Sequence, residues 1–455
     1  MSTPKVGFIP CGVHEKMIDT FGRPLINRQM IEQAAKSLKD AGFDVCRYSE
    51  IVRTKKDAAA AVSSVEKENV DCVILYVASW LWASELVGAA SLCSRPILIW
   101  TTPISQGWGT GGALVLHGAF DEVGLKHKFV YGFPDDPETQ KKIVGYVKAA
   151  KVLKQLKGST VGLIGGISMG ATPGRVDEAV WMQKFGVTVD HVDQYAVIQK
   201  AERIPKDEVA REYEELKNVA GEVPPFDGVM DHSIRLYLAM KKVIKENSFN
   251  FTALKCFPEV SDNYATACLA QSLLGNEGFT SACIGDLNTA LTAYILQMLS
   301  GSSVFNPDIQ RIRKGDNVVV MTSDGTCPLN IAEDKNGVKL SKRGVFGEGD
   351  ADGICVGLVC KPGTVTLARM TRIKGKYFMH ISLGESYVPP KPKLQKELNE
   401  CGFPCWPHAF VKLDGDVERF VQNQRSEYIS MCYGDLKEEL LDLCYLLDVE
   451  PIITD

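Results

Sequence analysis

Two acidic residues stand where acids can do chemistry. Glu259 lies in Lys255-Cys-Phe-Pro-Glu259-Val-Ser-Asp and Asp286 in Ala282-Cys-Ile-Gly-Asp286-Leu-Asn. Each follows a short apolar run that reads as a strand, and each precedes a helical pattern, over 262–274 and 287–299. In open α/β sheets, ligands bind beyond the carboxyl ends of the strands. The spacing of 27 residues from one acid to the other suits one βαβ unit, so the carboxylates emerge side by side if their strands are neighbours. Two close carboxylates repel unless something neutralises them. A hard divalent cation does so, and carboxylate oxygens suit Mn²⁺ or Mg²⁺. Such an ion polarises a carbonyl or hydroxyl, and a carboxylate beside it moves a proton. The competing reading is a helix cap. Asp286 suits that role, whereas Ser261 and Asp262 are better placed for it than Glu259.

The elements that must hold these acids follow from periodicity. Over residues 1–157, short apolar runs alternate with helical patterns, which predicts an N-terminal domain with a parallel sheet. A second α/β domain, 158–310, starts with Thr160-Val-Gly-Leu-Ile164 and carries both acids. Past about Arg311 the texture changes to strands separated by Gly, Pro, Asp and Asn, which predicts a β-rich, barrel-like C-terminal domain over 311–455. The fold class is therefore α/β: two parallel-sheet domains followed by a β-rich one. A chain of 455 residues is too long for one core, which agrees.

Composition excludes several classes. A net charge of −5 gives no reason to expect nucleic acid as a partner. The start of the sequence reads as a strand and not as a signal peptide, and neither terminus carries a run long and apolar enough to span a membrane. The 14 cysteines show no Cys-x-x-Cys pair, so reduced, mostly buried thiols in a cytoplasmic protein are expected. Gly107-Trp-Gly109-Thr-Gly-Gly112 fits a Gly-x-Gly-x-x-Gly pattern, but it follows a late strand of its domain and lacks the acidic residue that completes a nucleotide site. A substrate-side or interface loop is expected there, and no nucleotide cofactor.

The chain resembles the L-fucose/L-arabinose isomerase superfamily. The resemblance rests on 255–274 and 283–299, on Gly165-Gly-Ile-Ser-Met-Gly170, and on Ala78-Ser-Trp80-Leu-Trp82-Ala-Ser-Glu85. It also rests on Lys361-Pro-Gly-Thr-Val-Thr-Leu-Ala-Arg369, on Pro404-Cys-Trp406-Pro-His408, and on Tyr433-Gly-Asp435. It implies a metal-dependent aldose–ketose isomerase acting on an open-chain pentose, deoxyhexose or anionic hexose derivative through an enediol. Glu259 and Asp286 would be catalytic and would hold Mn²⁺, or another divalent cation such as Mg²⁺ or Co²⁺. Met169, Trp406, Trp80 and Tyr428 would face the sugar. A homotrimer or homohexamer with sites at subunit boundaries is implied, Trp80 reaching a neighbour's site. One departure stands out. The family's third ligand is a histidine five residues before the Tyr-Gly, and Tyr428 occupies that place here. Among the seven histidines His408 is the replacement candidate, with Tyr428 itself or water as the alternatives. The missing histidine also motivates an alternative, a sugar-binding or regulatory module that has lost its metal. A nicotinamide-dependent oxidoreductase rests on the glycine pattern alone.

Overall fold

The computed structural model describes residues 3–13, 16–342 and 353–455. The chain divides into two compact units, 1–155 with 438–448, and 156–437 with 449–455.

Unit 1 is built on a five-stranded sheet of β1 (Lys5–Cys11), β2 (Asp44–Arg47), β3 (Cys72–Val77), β4 (Ile97–Thr101) and β5 (His127–Tyr131), in the order β2-β1-β3-β4-β5. All its pairings are parallel. Every residue of β3 and β4 is buried, which is why those runs read as continuous apolar segments and not as alternation. The helices between them start where capping chemistry allows. Asn27 caps Arg28–Asp40, and Thr54 with Asp57 forms a reciprocal capping box on Lys55–Lys67. The Gly107–Gly112 segment has a packing role. Gly107 adopts φ 74°, and a Cβ there would collide with the Leu25 carbonyl. A Cβ on Gly112 would press on the backbone of Leu81 and Trp80. The helix Lys437–Leu447 carries one exception to chain order, because residues 438–448 belong to unit 1.

Unit 2 holds two larger sheets. The first is parallel and comprises β6 (Thr160–Ile164), β7 (Thr188–Val192), β8 (Phe251–Leu254) and β9 (Ser281–Ala282), in the order β7-β6-β8-β9. The second draws on β10 (Asp308–Arg313), β11 (Val318–Thr322), β14 (Gly363–Ile373), β15 (Lys376–Ser386), β16 (His408–Leu413), β17 (Ser430–Tyr433) and β18 (Glu450–Ile453). Its order is β10-β11-β16-β15-β14-β17, with β18 beside β15. The short strands β12 (Lys339–Lys342) and β13 (Ile354–Gly357) pair separately. The two α/β layers and the β-rich C-terminal part agree with expectation. The barrel-like closure does not, because the seven-stranded sheet is open. Among the described residues the isolated bridges Phe305↔Met431 and Asp308↔Tyr428, with the Ile309 N–H donating to the Glu427 carbonyl at 2.9 Å, link its two edges without a continuous ladder. The register of β10 on β11 shifts between Ile309 and Arg311. A bulge of this kind bends a strand and interrupts its ladder. One hydrophobic core runs through unit 2, joining Ile164 and Leu254 of the parallel sheet to Val319, Met321, Val365, Leu367 and Val411 of the antiparallel one.

Candidate active site

The strand order of the parallel sheet reverses between β6 and β8, since β7 lies on one side of β6 and β8 with β9 on the other. Such a switch point leaves a crevice beyond the strand ends. The structure has a cavity of ≈ 320 Å³ there. Met169 comes from the loop after β6, Cys256 and Phe257 from the end of β8, and Cys283 with Ile284 from the turn after β9. The loops are tied to one another. Ser168 Oγ donates to the Phe257 carbonyl, and Ser168 N–H donates to the Ile284 carbonyl at 2.9 Å. A Cβ on Gly285 would collide with the Gly166 carbonyl, so glycine is required for that approach. Met169 itself sits at φ 49°, in the left-handed region.

The antiparallel sheet supplies the polar wall. Asp308 and Gln310 come from β10, Thr322 from the end of β11, Asp324 from the turn beyond it, and Tyr428 from the segment before β17. Asp308 pairs in register with Thr322, which brings the start of β10 to the turn that holds Asp324. The β10 bulge falls at Gln310. Gln271 reaches in from the helix Cys268–Asn276 and donates to Ser281 Oγ at 3.1 Å. Trp406 completes the lining and stacks on Phe403 with centroids 4.0 Å apart. Burial pushes the Asp308 carboxyl well above its ordinary range, and the charges of Asp324 and Glu427 push the same way. Its surroundings therefore favour the protonated form of Asp308. Burial, with Asp308 next in weight, also raises the Tyr428 phenol, which stays neutral.

The residues expected from sequence fall into groups. Met169, Trp406 and Tyr428 line the cavity together. Trp80 belongs to unit 1 and packs edge-on against Trp82 at 6.5 Å. Glu259 opens a short helix after β8, is exposed, and pairs with Lys255. Asp286 is 1 % exposed, and both its oxygens are engaged: Oδ1 accepts from Thr289 N–H at 2.9 Å and Oδ2 pairs with Arg369 at 2.8 Å. His408 opens β16, buried, with Nδ1 against the Trp406 carbonyl at 2.8 Å and Nε2 against Cys401 Sγ at 3.1 Å. Burial lowers its pKa to about 4. Of the three, Glu259 is exposed and keeps acceptor capacity beyond its Lys255 pair, whereas Asp286 and His408 are already committed to protein partners. Arg369 already neutralises Asp286, and both nitrogens of His408 are occupied. In the arrangement observed, Asp286 and His408 would have to exchange these partners to take up an ion.

Sequence reasoning missed Asp308, Asp324, Gln271 and Gln310. Asp324 sits in Ser-Asp-Gly and Asp308 follows Pro307, so both read as turn residues. Their meeting is set by the register of β10 on β11, which no local signal reveals.

Comparisons with known proteins agree with this architecture. Residues 11–158 match the family described as L-fucose isomerase, first N-terminal domain, and residues 340–454 match L-fucose isomerase, C-terminal domain. A sulfoquinovose isomerase from Clostridium sp. (strain MSTE9) is 25 % identical over 78 % of this chain and 80 % of its own. One from Priestia aryabhattai is 20 % identical over 92 % of this chain and 93 % of its own. L-arabinose isomerase 2 of Clostridium acetobutylicum is 23 % identical over 39 % of this chain and 38 % of its own. With fucose isomerase domains at both ends of its sequence and sugar isomerases among its relatives, the chain belongs to the L-fucose/L-arabinose isomerase superfamily and is an aldose–ketose isomerase.

Proposed function

We propose that the reacting end of an open-chain sugar binds in the unit 2 cavity and isomerises there through an enediol, with Asp308 and Asp324 moving the protons. The supporting observation is the carboxyl pair on one wall of a cavity at the switch point. Isomerisation needs a base that takes the proton from C2 and returns it to C1, and an acid that serves the two oxygens. Asp308, whose surroundings favour the protonated form, suits the acid, and Asp324 suits the base. Tyr428, Gln271 and Gln310 offer hydrogen bonds to hydroxyls, and Trp406 an apolar wall.

The relatives named sulfoquinovose isomerase point to a sulfonated sugar, and the arabinose isomerase to a pentose. Among the described residues lining the cavity there is no Lys or Arg. A sulfonate beside two aspartates would be repelled, so C1 and C2 occupy the cavity and any anionic group lies beyond its lining. A homotrimer or homohexamer with Trp80 reaching a neighbouring copy, and a cytoplasmic setting, remain part of this reading. The family resemblance supports the first and the 14 free thiols support the second. Light scattering measures the oligomer. Among the described residues no helix is long and apolar enough to cross a membrane.

A second reading keeps Mn²⁺ on Glu259 and Asp286, with both acids catalytic. In its favour, both acids follow β8 and β9, neighbouring strands whose ends line the cavity. Arg369 would then have to release Asp286.

One experiment separates the readings. Turnover of a sugar panel, which includes a sulfonated hexose, is followed together with exchange of substrate hydrogen for solvent deuterium and with metal content. Asp308→Asn and Asp324→Asn should each lower turnover by about 10²–10⁴-fold with bound metal unchanged. Glu259→Gln should leave turnover within a few-fold. Full activity in Asp308→Asn, together with loss of both metal and turnover in Glu259→Gln, would overturn the first reading in favour of the second.

A further inference from the structure

We propose that unit 1 carries a divalent-cation site of its own, formed by His117, Asp121 and His127, with a donor set that selects zinc. His117 and Asp121 lie one turn apart on the helix Gly109–Glu122, and His127 opens β5. One ligand atom from each residue lies within 4.8 Å of the other two. No cavity residue is shared, since those that line the cavity all belong to unit 2.

The hydrogen bonding sets the imidazoles up as ligands. His127 Nδ1 faces the Leu125 carbonyl at 2.7 Å, and a carbonyl only accepts, so Nδ1 carries the proton and Nε2 keeps a lone pair. That lone pair points at His117 Nδ1, 2.6 Å away. Asp121 Oδ2 stands 3.7 Å from the other nitrogen of His117. The surroundings hold both rings. Phe129 stacks on His117 with centroids 5.0 Å apart, Phe120 meets His127 edge-on at 5.2 Å, and the His127 N–H donates to Tyr445 Oη at 3.2 Å. Outer contacts that fix tautomer and ring orientation are the supports a metal-binding histidine uses. Burial lowers the His127 pKa, which favours the neutral, ligating form.

Two neutral imidazoles and one carboxylate suit Zn²⁺ better than the oxygen-seeking Mg²⁺ or Ca²⁺. Zn–N bonds of about 2.0–2.1 Å at a tetrahedral angle place two nitrogens roughly 3.3 Å apart. The His117–His127 pair therefore opens modestly, and the proton the two nitrogens share passes through solvent to His117 Nε2, so that both rings ligate as neutral imidazoles. His117 and Asp121 are partly exposed, so the ion has an entry path and the fourth position goes to water.

The test is equilibrium dialysis of the chelator-treated chain against Zn²⁺, with Co²⁺ as a spectroscopic substitute. Wild type should bind one more equivalent than His117→Asn, and the extra Co²⁺ should show tetrahedral d–d bands without a thiolate charge-transfer band. Asp121→Asn should weaken that equivalent at least 10-fold. Both variants sit at the surface, so folding, checked by circular dichroism, should be unaffected, and sugar turnover should be unchanged. Equal stoichiometry and spectra in wild type and His117→Asn would overturn the proposal.

Discussion

Asp286 shows how much a single residue's neighbours decide. Its place between strand and helix is plain in the sequence, and so is its cap on Thr289. The partner that removes it from solvent, Arg369, lies 83 residues away and became visible only with the fold. The pair is 1 % exposed on both sides, and Arg369 also donates to Thr289 Oγ1. Removing one member of such a pair strands a buried charge. Arg369→Met should lower unfolding free energy by about 3–5 kcal/mol, read by urea denaturation. A cost below about 1 kcal/mol would mean that Asp286 is neutralised by something else. Met169, Trp406 and Tyr428 were legible because the family resemblance carried them, whereas Asp308 and Asp324 were hidden inside turn chemistry.

At the scale of elements, periodicity served the parallel sheets well. Thr160–Ile164 is a strand as read, and the helix expected over 287–299 runs Leu287–Ser300. The helix expected over 262–274 is instead broken into Glu259–Asn263 and Cys268–Asn276. The long helix Gly228–Asn247 was passed over, although Asp227 caps it by accepting from Met230 N–H. The bulge in β10 was unreadable, because a bulge is a relation between two strands.

The same sheet carries a pH response. His380 in β15 and His408 in β16 are both 1 % exposed, and burial lowers each pKa to about 4. In the unfolded chain they titrate near 6.5. The unfolded state thus binds more protons between about pH 6.5 and 4, and stability falls as pH drops through that window. The loss should reach about 3 kcal/mol per histidine, and His408→Gln should flatten the slope by its share. Urea midpoints at pH 7 and pH 4.5 check this, and equal midpoints in wild type would contradict it.

For the whole molecule, the division into units departs from simple chain order. Helix Lys437–Leu447 joins unit 1, where Lys128 Nζ pairs with Asp442 at 2.7 Å and Lys126 donates to the Leu446 carbonyl at 3.1 Å. Burial, partly offset by Lys128, raises the Asp442 pKa to about 6. The raised value works against folding as pH climbs from about 4 to 6, so a neutral substitute has the opposite effect. Asp442→Asn, which keeps the shape and drops the charge, should therefore cost less than Asp442→Ala. The alanine variant should destabilise unit 1 by about 3 kcal/mol, because it removes the acceptor as well as the charge, whereas an asparagine oxygen still accepts from Lys128 Nζ. Hydrogen exchange of β5 amides reads this locally, and equal protection in the two variants would contradict it.

The discontinuity of unit 1 also has a consequence for synthesis. Between residues 155 and 438 the ribosome must make 282 residues of unit 2 before the missing helix emerges. At roughly 5–20 residues per second that takes on the order of 15–60 s. During this interval the five-stranded sheet is already outside, but Leu440, Leu443, Cys444 and Leu447 are not yet there to cover it. The nascent chain therefore passes through a stage in which its first unit has an unfinished apolar face. That face is a natural target for a holding chaperone, and for mispairing with a second nascent copy on the same message.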